Sequence, residues 1–378
     1  MDFTQNSPDK LKIDKIELYQ VRLKLITPFR TSFGELTERN VLLICIRSGK
    51  LVGWGESPHL DLPLYTSEFL ESGKKLLQNI LLPRIIGKEL SCPDDIHQFF
   101  ADIKGNNISK AGIEMAVWDL FSKKANLPLY KFIGSQRNWS EIGISIGIKD
   151  SPEELIADIK RYTEEGYRRI KVKIKPGWDV DIVKFIRSHF PSIRLMVDAN
   201  SAYSGGDIAH LSQFDDYNLL MIEQPFSESC LFDHSELQAK IRTPVCLDES
   251  IHCLEDVKTA VHFNSCKIIN IKPARVGGVS ETIKIHDFCK EKNIPVWIGG
   301  MVESFIGKSF LDHLSTLPNF LLPGDNSDSA RYFEEDLVKG GREHQNGIIY
   351  LSDEPGIGVV PDEELLSKHT IEQFSLEV

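Results

Sequence analysis

Short apolar segments recur along the last two thirds of the chain, each followed by a polar or helix-like stretch. They predict eight strands, at residues 142–148, 169–175, 195–200, 219–225, 244–250, 268–274, 295–301 and 320–325. Strands that alternate with helical segments indicate a parallel sheet with helical crossovers. Eight such units within roughly 200 residues predict an α/β fold of the closed (β/α)₈-type barrel class. An open doubly wound sheet is the alternative, but no GxGxxG motif follows an early strand.

The first third of the chain has a different pattern of apolar residues, which predicts a mixed region of strands and helices. Residues 13–25 and 41–54 are rich in β-branched and aromatic side chains, which is typical of strands. The apolar spacing of residues 70–86, 96–103 and 109–124 predicts three helices.

Composition narrows the classes of protein that fit this pattern. Hydrophobic residues make up 41% of the chain and charged residues 26%, as in ordinary globular proteins. The net charge of −11 argues against a basic nucleic-acid-binding surface, so no nucleic-acid partner is expected. Residues 1–15 lack the apolar core of a signal peptide, and no apolar run is long enough to span a membrane. Seven cysteines without a CxxC motif predict reduced thiols and a cytoplasmic protein.

Ionisable residues stand at the ends of five successive predicted strands. They are Lys173, Asp198, Glu223, Asp248 and Lys272, at spacings of 25, 25, 25 and 24 residues. One such residue at the same phase of each βα unit predicts that all five lie at the same rim of the barrel. In barrel enzymes the catalytic groups lie at the carboxyl rim of the strands.

The three acids at this rim predict a metal site. Three converging carboxylates repel one another and lose hydration, and a bound dication relieves both costs. Ligands that are all oxygen favour Mg²⁺, with Mn²⁺ as a further possibility. Any one of these acids could instead cap the helix that follows it, but three in consecutive units favour the metal.

The lysines predict acid–base chemistry. Lys171, Lys173 and Lys175 share one face of the predicted strand, and the apolar residues between them share the other, so the lysines should point inward. Near a dication a buried lysine is expected to have a lowered pKa, as a base requires. The alternative is a solvated edge strand. Lys272 follows the sixth strand, which lies opposite the second, so two lysines should flank a substrate and act through an enediolate held by the metal.

These residues resemble the enolase superfamily, in its muconate cycloisomerase-like branch. The resemblance rests on residues 171–173, the strand-end acids, Lys272 and the segments 115–123 and 128–134. It implies an α+β capping domain of residues 1–135, joined by a tail at about 346–378, over a barrel of residues 136–345. It also implies that Lys173 is the acid/base catalyst and that Lys171 assists electrostatically.

Segments 174–179, 299–303 and 324–327 look like the o-succinylbenzoate synthase and N-succinylamino acid racemase group. Ile174 and Lys175 depart from the acidic residue usual before Pro-Gly-Trp-Asp. The resemblance implies dehydration of 2-succinyl-6-hydroxy-2,4-cyclohexadiene-1-carboxylate to 2-succinylbenzoate, a menaquinone precursor. Racemisation of N-succinylamino acids by Lys173 and Lys272 is the alternative. The absence of Asp-x-Asp at residues 325–327 weighs against a dipeptide epimerase. Muconate lactonisation is less favoured than the epimerase. A non-catalytic barrel is the least favoured alternative, since all five rim residues are present.

A second set of residues is predicted to bind or orient a small carboxylate substrate in a homo-oligomeric enzyme. This set is Asn200, Glu249, Arg275, Gly300, Met301, Glu303 and Phe33. Arg275 stands where racemase-capable relatives carry arginine. Residues 29–34 and 55–58 are either loops over the substrate or ordinary turns.

Overall fold

The protein is described by a computed structural model that covers residues 10–32, 34–328, 331–340 and 343–378. Its N-terminal part contains an antiparallel sheet. The strands of this part are β1 (Leu11–Lys12), β2 (Lys15–Arg30), β3 (Glu35–Ser48), β4 (Leu51–Ser57) and β5 (Glu89–Leu90). A strand from much later in the sequence, β15 (Thr370–Glu377), completes the main sheet in the order β15-β2-β3-β4. The predicted strand 41–54 is therefore a hairpin, which turns at Gly49 with a φ of 56°.

Helices cover one face of this sheet. They are α1 (Leu70–Leu76), a π-helical turn (Leu77–Leu81), α2 (Leu82–Ile85), a 3₁₀ helix (Pro93–Phe100), α3 (Asn107–Lys124) and α4 (Leu129–Phe132). The helix predicted at 70–86 is confirmed as one helical run with a π turn, and that at 96–103 is a 3₁₀ helix shifted towards Pro93. We call this sheet, with α1 to α3, the capping domain.

Both faces of the central part of β3 are buried. In β3, Leu42, Ile44 and Ile46 pack against the helices of the capping domain. Val41, Leu43 and Cys45 belong to the core that also fills the barrel. This double burial explains why residues 41–46 are apolar without alternation.

The barrel follows the capping domain along the chain. After a short strand β6 (Trp139–Glu141), its strands are β7 (Ile144–Ile146), β8 (Ile170–Lys173), β9 (Leu195–Asp198), β10 (Ile222–Glu223), β11 (Val245–Leu247), β12 (Ile268–Ile271) and β13 (Val296–Ile298). They form one parallel sheet in sequence order. The helices between and after them are α5 (Pro152–Glu164), α6 (Val180–His189), α7 (Ile208–Leu211), α8 (Leu231–Lys240), α9 (Leu254–His262), α10 (Pro273–Val276), α11 (Val279–Glu291) and α12 (Phe305–Ser315), with 3₁₀ turns at Gly205–Asp207 and Ser212–Tyr217 on either side of α7.

The eighth predicted strand, at residues 320–325, closes the sheet through two parallel bridges. Phe320 bridges to Val296 of β13, and Gly324 bridges to Ile142 just before β7. The Asp325 N–H also donates to the Ile298 carbonyl at 2.9 Å, and the Gly143 N–H donates to the Gly324 carbonyl at 2.8 Å. The predicted (β/α)₈-type barrel with a capping domain is thereby confirmed.

The remaining elements return the chain to the capping domain. β14 (Ile348–Tyr350) pairs with β6, and α13 (Glu363–His369) leads into β15. The domain boundaries at residues 135 and 346 stay a prediction. No helix in the described ranges is both long and apolar enough to cross a membrane.

Helix α3 lies directly on β4 because both carry glycine at the contact. A Cβ atom at Gly55 would lie 2.1 Å from the Gly112 carbonyl oxygen and 2.7 Å from the Ala116 nitrogen. Both of these atoms belong to the helix backbone, so neither can move aside alone.

We therefore expect Gly55→Ala to lower the free energy of unfolding by about 1–3 kcal/mol, the usual cost of overpacking. Urea unfolding followed by circular dichroism measures this loss. Gly206→Ala is the matched control, because the nearest atom to its Cβ is the Ser204 Oγ at 3.6 Å. Equal midpoints for the two variants would show that α3 can move away from the sheet at no cost.

Candidate active site

The five strand-end residues meet at one rim of the barrel, as predicted. Lys173, Asp198 and Glu223 are the last residues of β8, β9 and β10, while Asp248 and Lys272 directly follow β11 and β12. Parallel pairing sets Lys173 beside Asp198 and Asp198 beside Glu223. All five side chains are buried. The barrel therefore brings three carboxylates and two lysines into one enclosed space.

Each lysine of β8 contacts the acids. The Lys173 Nζ donates to Asp198 Oδ2 and to Asn200 Oδ1, both at 2.6 Å. The Lys171 Nζ lies between Asp198 Oδ2 at 3.3 Å and Glu223 Oε2 at 3.1 Å. Lys171 also pairs with Asp325. Lys173 thus has fewer acidic partners than Lys171.

Lys272 lies across the barrel from Lys173. Three strands, β9 to β11, separate β8 from β12 on one side, and β13, residues 320–325 and β7 separate them on the other. The Lys272 Nζ donates to Asp248 Oδ2 at 2.8 Å and contacts the Tyr65 hydroxyl at 2.9 Å. A ligand bound at this rim would have one lysine on each side.

Lys175 does not belong to this group, so the prediction that it faces inward is wrong. Strand β8 ends at Lys173, and the chain then turns between Lys175 and Trp178, with Gly177 at a φ of 81°. The Lys175 side chain is exposed. The alternation of side chains stops where the strand stops.

The charges at the rim perturb one another strongly. Burial, with the neighbouring Asp198 and Asp248, raises the pKa of Glu223 to about 8. Burial would lower the pKa of Lys272, but Asp248 and Tyr65 outweigh it and hold that pKa above its usual range. Lys171 shows the same balance, with Asp325, Glu223 and Asp198 raising its pKa. Without an ion, these neighbours favour the charged form of both lysines, and the lowered pKa expected of a lysine beside a bound dication stays a prediction.

The acids supply the donors that a hard dication prefers. Asp198, Glu223 and Asp248 are at most 1% exposed and offer oxygen atoms alone. Burial and then the nearby Asp198 and Asp248 carboxylates raise the pKa of Glu223, and a dication would relieve both the lost hydration and the repulsion. Across the described ranges, no group of three or more His, Cys, Asp or Glu side chains is arranged to hold a metal ion as it stands. Lys171 lies between Asp198 and Glu223, so its ammonium group would stand beside an ion that these acids held.

A cavity of about 70 Å³ opens between the two lysines. The barrel contributes Lys173, Asn200, Lys272 and the turn after β13. Its other lining residues come from the capping domain and are Phe29, Thr31, Leu36, Leu60 and Tyr65. The cavity therefore combines an ionic floor with a largely apolar roof.

The predicted substrate-binding residues fall into three groups. Asn200, Gly300 and Met301 line the cavity. Glu303 lies behind it, where its Oε2 accepts the Met301 N–H at 2.8 Å. Phe33 lies outside the described residues. Residues 55–57 belong to β4, so only Pro58 of that predicted loop begins a loop.

The two other members of the set lie deeper at the rim. Arg275 pairs with Asp248 and donates to the Ile251 carbonyl at 2.8 Å. Glu249 Oε1 accepts from Asn200 Nδ2 at 2.9 Å, while its buried Oε2 has no hydrogen-bond partner. Burial, with Asp248 and Asp198 nearby, raises the pKa of Glu249 to about 8.

Two residues at the site were missed by the sequence analysis. Tyr65, on the capping-domain loop before α1, places its hydroxyl 3.2 Å from both Asp248 carboxylate oxygens and 2.5 Å from the Arg275 guanidinium. Asp325 accepts from Arg169 at 2.5 Å and also pairs with Lys171. Asp325 ends the eighth barrel segment, so the same strand-end rule would have found it, whereas no local pattern marks Tyr65.

Comparison with known proteins identifies the family of the chain. The "Mandelate racemase / muconate lactonizing enzyme, N-terminal domain" family model matches residues 15–134, and the "Enolase C-terminal domain-like" model matches residues 154–365. The chain is 42% identical to the o-succinylbenzoate synthase of Bacillus subtilis (strain 168), over 95% of this chain and 97% of that protein. It is 41% identical to the N-succinylamino acid racemase of Thermus thermophilus, over 92% of this chain and 95% of that protein.

A solved structure with the same architecture is that of an enolase superfamily member from Listeria innocua. It superposes with a TM-score of 0.94 at 38% identity, covering 97% of this chain and 99% of that chain. Together with the two family models, which span most of the sequence, this places the chain in the enolase superfamily.

Proposed function

We propose that this enzyme is an o-succinylbenzoate synthase, which dehydrates 2-succinyl-6-hydroxy-2,4-cyclohexadiene-1-carboxylate to 2-succinylbenzoate in menaquinone biosynthesis. The observation that carries the proposal is the pair Lys173 and Lys272, which face one cavity from opposite sides above three buried carboxylates. Relatives named o-succinylbenzoate synthase at 42% and 41% identity, each aligned over 95% of the chain, support the substrate.

Lys173 performs the acid–base steps in this proposal. Its Nζ takes the proton from the ring carbon that bears the carboxylate. The bond between the neighbouring carbon and its hydroxyl then breaks, and the Lys173 ammonium returns the proton so that the group leaves as water. Lys272, held by Asp248 and Tyr65, keeps its positive charge beside the enediolate. One lysine therefore serves as base and then as acid.

Asp198, Glu223 and Asp248 are the proposed ligands of a divalent ion, Mg²⁺ with Mn²⁺ as a substitute. When bound, the ion supplies positive charge for the substrate carboxylate as the enediolate forms. Lys171, which contacts Asp198 and Glu223, would remain next to these ligands as an electrostatic partner anchored by Asp325. Asn200 links Lys173 to Glu249 and would orient the base.

The same residues support N-succinylamino acid racemisation as a second activity. Two lysines on opposite sides of one carbon can remove a proton from one face and deliver it to the other. The relative of that name in Thermus thermophilus supports it. Dipeptide epimerisation is not favoured, because Asp325 is already paired with Arg169 and Lys171 and is not available to a substrate ammonium group.

The proposal is tested by incubating the purified protein with the cyclohexadiene substrate and with each enantiomer of N-succinylphenylalanine. Formation of 2-succinylbenzoate, followed by ultraviolet absorbance, supports the synthase. Racemisation without dehydration would replace the first proposal by the second. Turnover of neither substrate would overturn both.

Removal of divalent ions should abolish turnover, and Mg²⁺ or Mn²⁺ should restore it, because the substrate carboxylate and the acids would otherwise repel. Asp248→Asn should weaken metal affinity by at least about tenfold while the fold survives. Calorimetric titration with Mn²⁺ measures that affinity directly. Asp207→Asn is the control, since Asp207 is a partly exposed acid that accepts from the Ser204 N–H and hydroxyl. Full activity in metal-free protein would contradict the site.

A cytoplasmic homo-oligomer completes the proposal. All seven cysteines are free thiols in the structure. Analytical ultracentrifugation measures the assembly state, and a monomer at micromolar concentration would contradict this part.

A further inference from the structure

Arg39 is a fully buried arginine behind one wall of the active-site cavity. It lies on β3 with 1% of its surface exposed. Its guanidinium donates to four backbone carbonyls, and these belong to two separate segments. The first segment is in the capping domain, where the Pro58 and His59 carbonyls each accept at 2.9 Å.

The second segment is the barrel turn after β13. The Arg39 Nη2 donates to the Met301 carbonyl at 3.2 Å, and its Nε donates to the Val302 carbonyl at 3.4 Å. Both residues line the cavity, as does Leu60, which directly follows His59. One planar guanidinium therefore ties together two walls of the cavity that come from different domains.

The barrel turn is held in a conformation that its sequence does not favour. Val302 has a φ of 57°, in the left-handed region that β-branched residues avoid. Such strain persists only where the surroundings impose it, and it concentrates at functional sites. Arg39 binds the carbonyl of Val302 and that of the residue before it. Glu303 accepts the Met301 N–H from the other side.

We propose that Arg39 is a positioning residue that holds the strained Met301–Val302 wall against the capping domain and so sets the shape of the substrate cavity. The inference rests on the proposed function and deepens it, since it names a residue that shapes the cavity for the cyclohexadiene substrate. Arg39 does not reach the cavity itself, so it acts through the backbone of the two walls.

The strain gives the proposal a specific signature. Without the guanidinium, Val302 should relax towards negative φ and move the wall. With glycine at position 302 the same backbone conformation is unstrained, so the wall should keep its shape even without Arg39. The effects of Arg39→Met and Val302→Gly should therefore not be additive.

The test is a double-mutant cycle measured with the cyclohexadiene substrate. Arg39→Met should raise KM by about tenfold or more with kcat changed far less, as expected when binding rather than chemistry is affected. In the Val302→Gly background the same substitution should raise KM at least about fivefold less. The dissociation constant of 2-succinylbenzoate, measured by calorimetry, should follow KM. If Arg39→Met does not yield folded protein, Arg39→Lys replaces it, since one ammonium cannot span both segments.

Arg187→Met is the matched control. Arg187 also donates to four backbone carbonyls, of Tyr217, Phe190, Ile193 and Asn218, but none of these residues lines the cavity. The Arg187→Met substitution should lower thermal stability and leave KM unchanged. An additive cycle, or a fall in kcat at constant KM, would overturn the role of Arg39. A wild-type enzyme that does not turn over the substrate would instead overturn the proposed function, and the cycle would then be measured through 2-succinylbenzoate affinity alone.

Discussion

Replacing Lys173 by alanine is expected to lower dehydration, and exchange of the N-succinylphenylalanine α-proton that faces Lys173, by about 10²–10⁴-fold, the usual contribution of a general acid–base group. Lys173 lines the cavity and is the proposed base and acid in the dehydration, so both reactions lose their first step. The rate of 2-succinylbenzoate formation and deuterium exchange by NMR measure the two losses.

Lys175→Ala is the matched control for this variant. Lys175 lies two residues along the same segment but is exposed beyond the end of β8. Its loss should leave both rates unchanged. If Lys173→Ala retained exchange within a few-fold of wild type while Lys175→Ala lost it, Lys173 would not be the base.

Lys272→Ala should separate the two reactions. Racemisation requires a base on each face of the carbon, so it should fall by about 10²–10⁴-fold. Lys173 remains on its own side of the cavity, so one enantiomer of N-succinylphenylalanine should still exchange its α-proton with deuterium. Dehydration should be slowed as well, because the positive charge beside the enediolate is lost.

Lys267→Ala serves as the control here, because Lys267 is exposed just before β12, at the opposite end of the strand. The Lys267→Ala variant should exchange the α-proton of both enantiomers at the wild-type rate. Equal exchange of both enantiomers by Lys272→Ala would rule out the mechanism with two opposed bases.

The barrel and the position of its rim residues followed from the sequence because both depend on periodicity. Strand-end residues at a spacing of about 25 must fall at the same rim once parallel strands pair in sequence order. The register of Lys173 with Asp198 and of Asp198 with Glu223 is the direct result. Lys175 was placed wrongly because periodicity does not show where a strand ends.

The roof of the cavity could not be derived in the same way. Tyr65 and Arg39 reach the barrel from the capping domain across 183 and 262 residues of sequence, to Asp248 and Met301 respectively. Contacts between domains depend on how two finished surfaces meet, and no local spacing encodes them. The left-handed conformation of Val302 is equally invisible, because valine is a residue that rarely adopts it.

The pairing of β15 with β2 has a consequence for synthesis on the ribosome. Leu376 pairs with Ile16, so strands 360 residues apart lie side by side in one sheet. Until residues 370–377 emerge, the outer edge of β2 has unpaired backbone groups that can pair with another chain. The nascent protein must therefore carry this open edge throughout translation of the barrel, an interval in which it is exposed to aggregation.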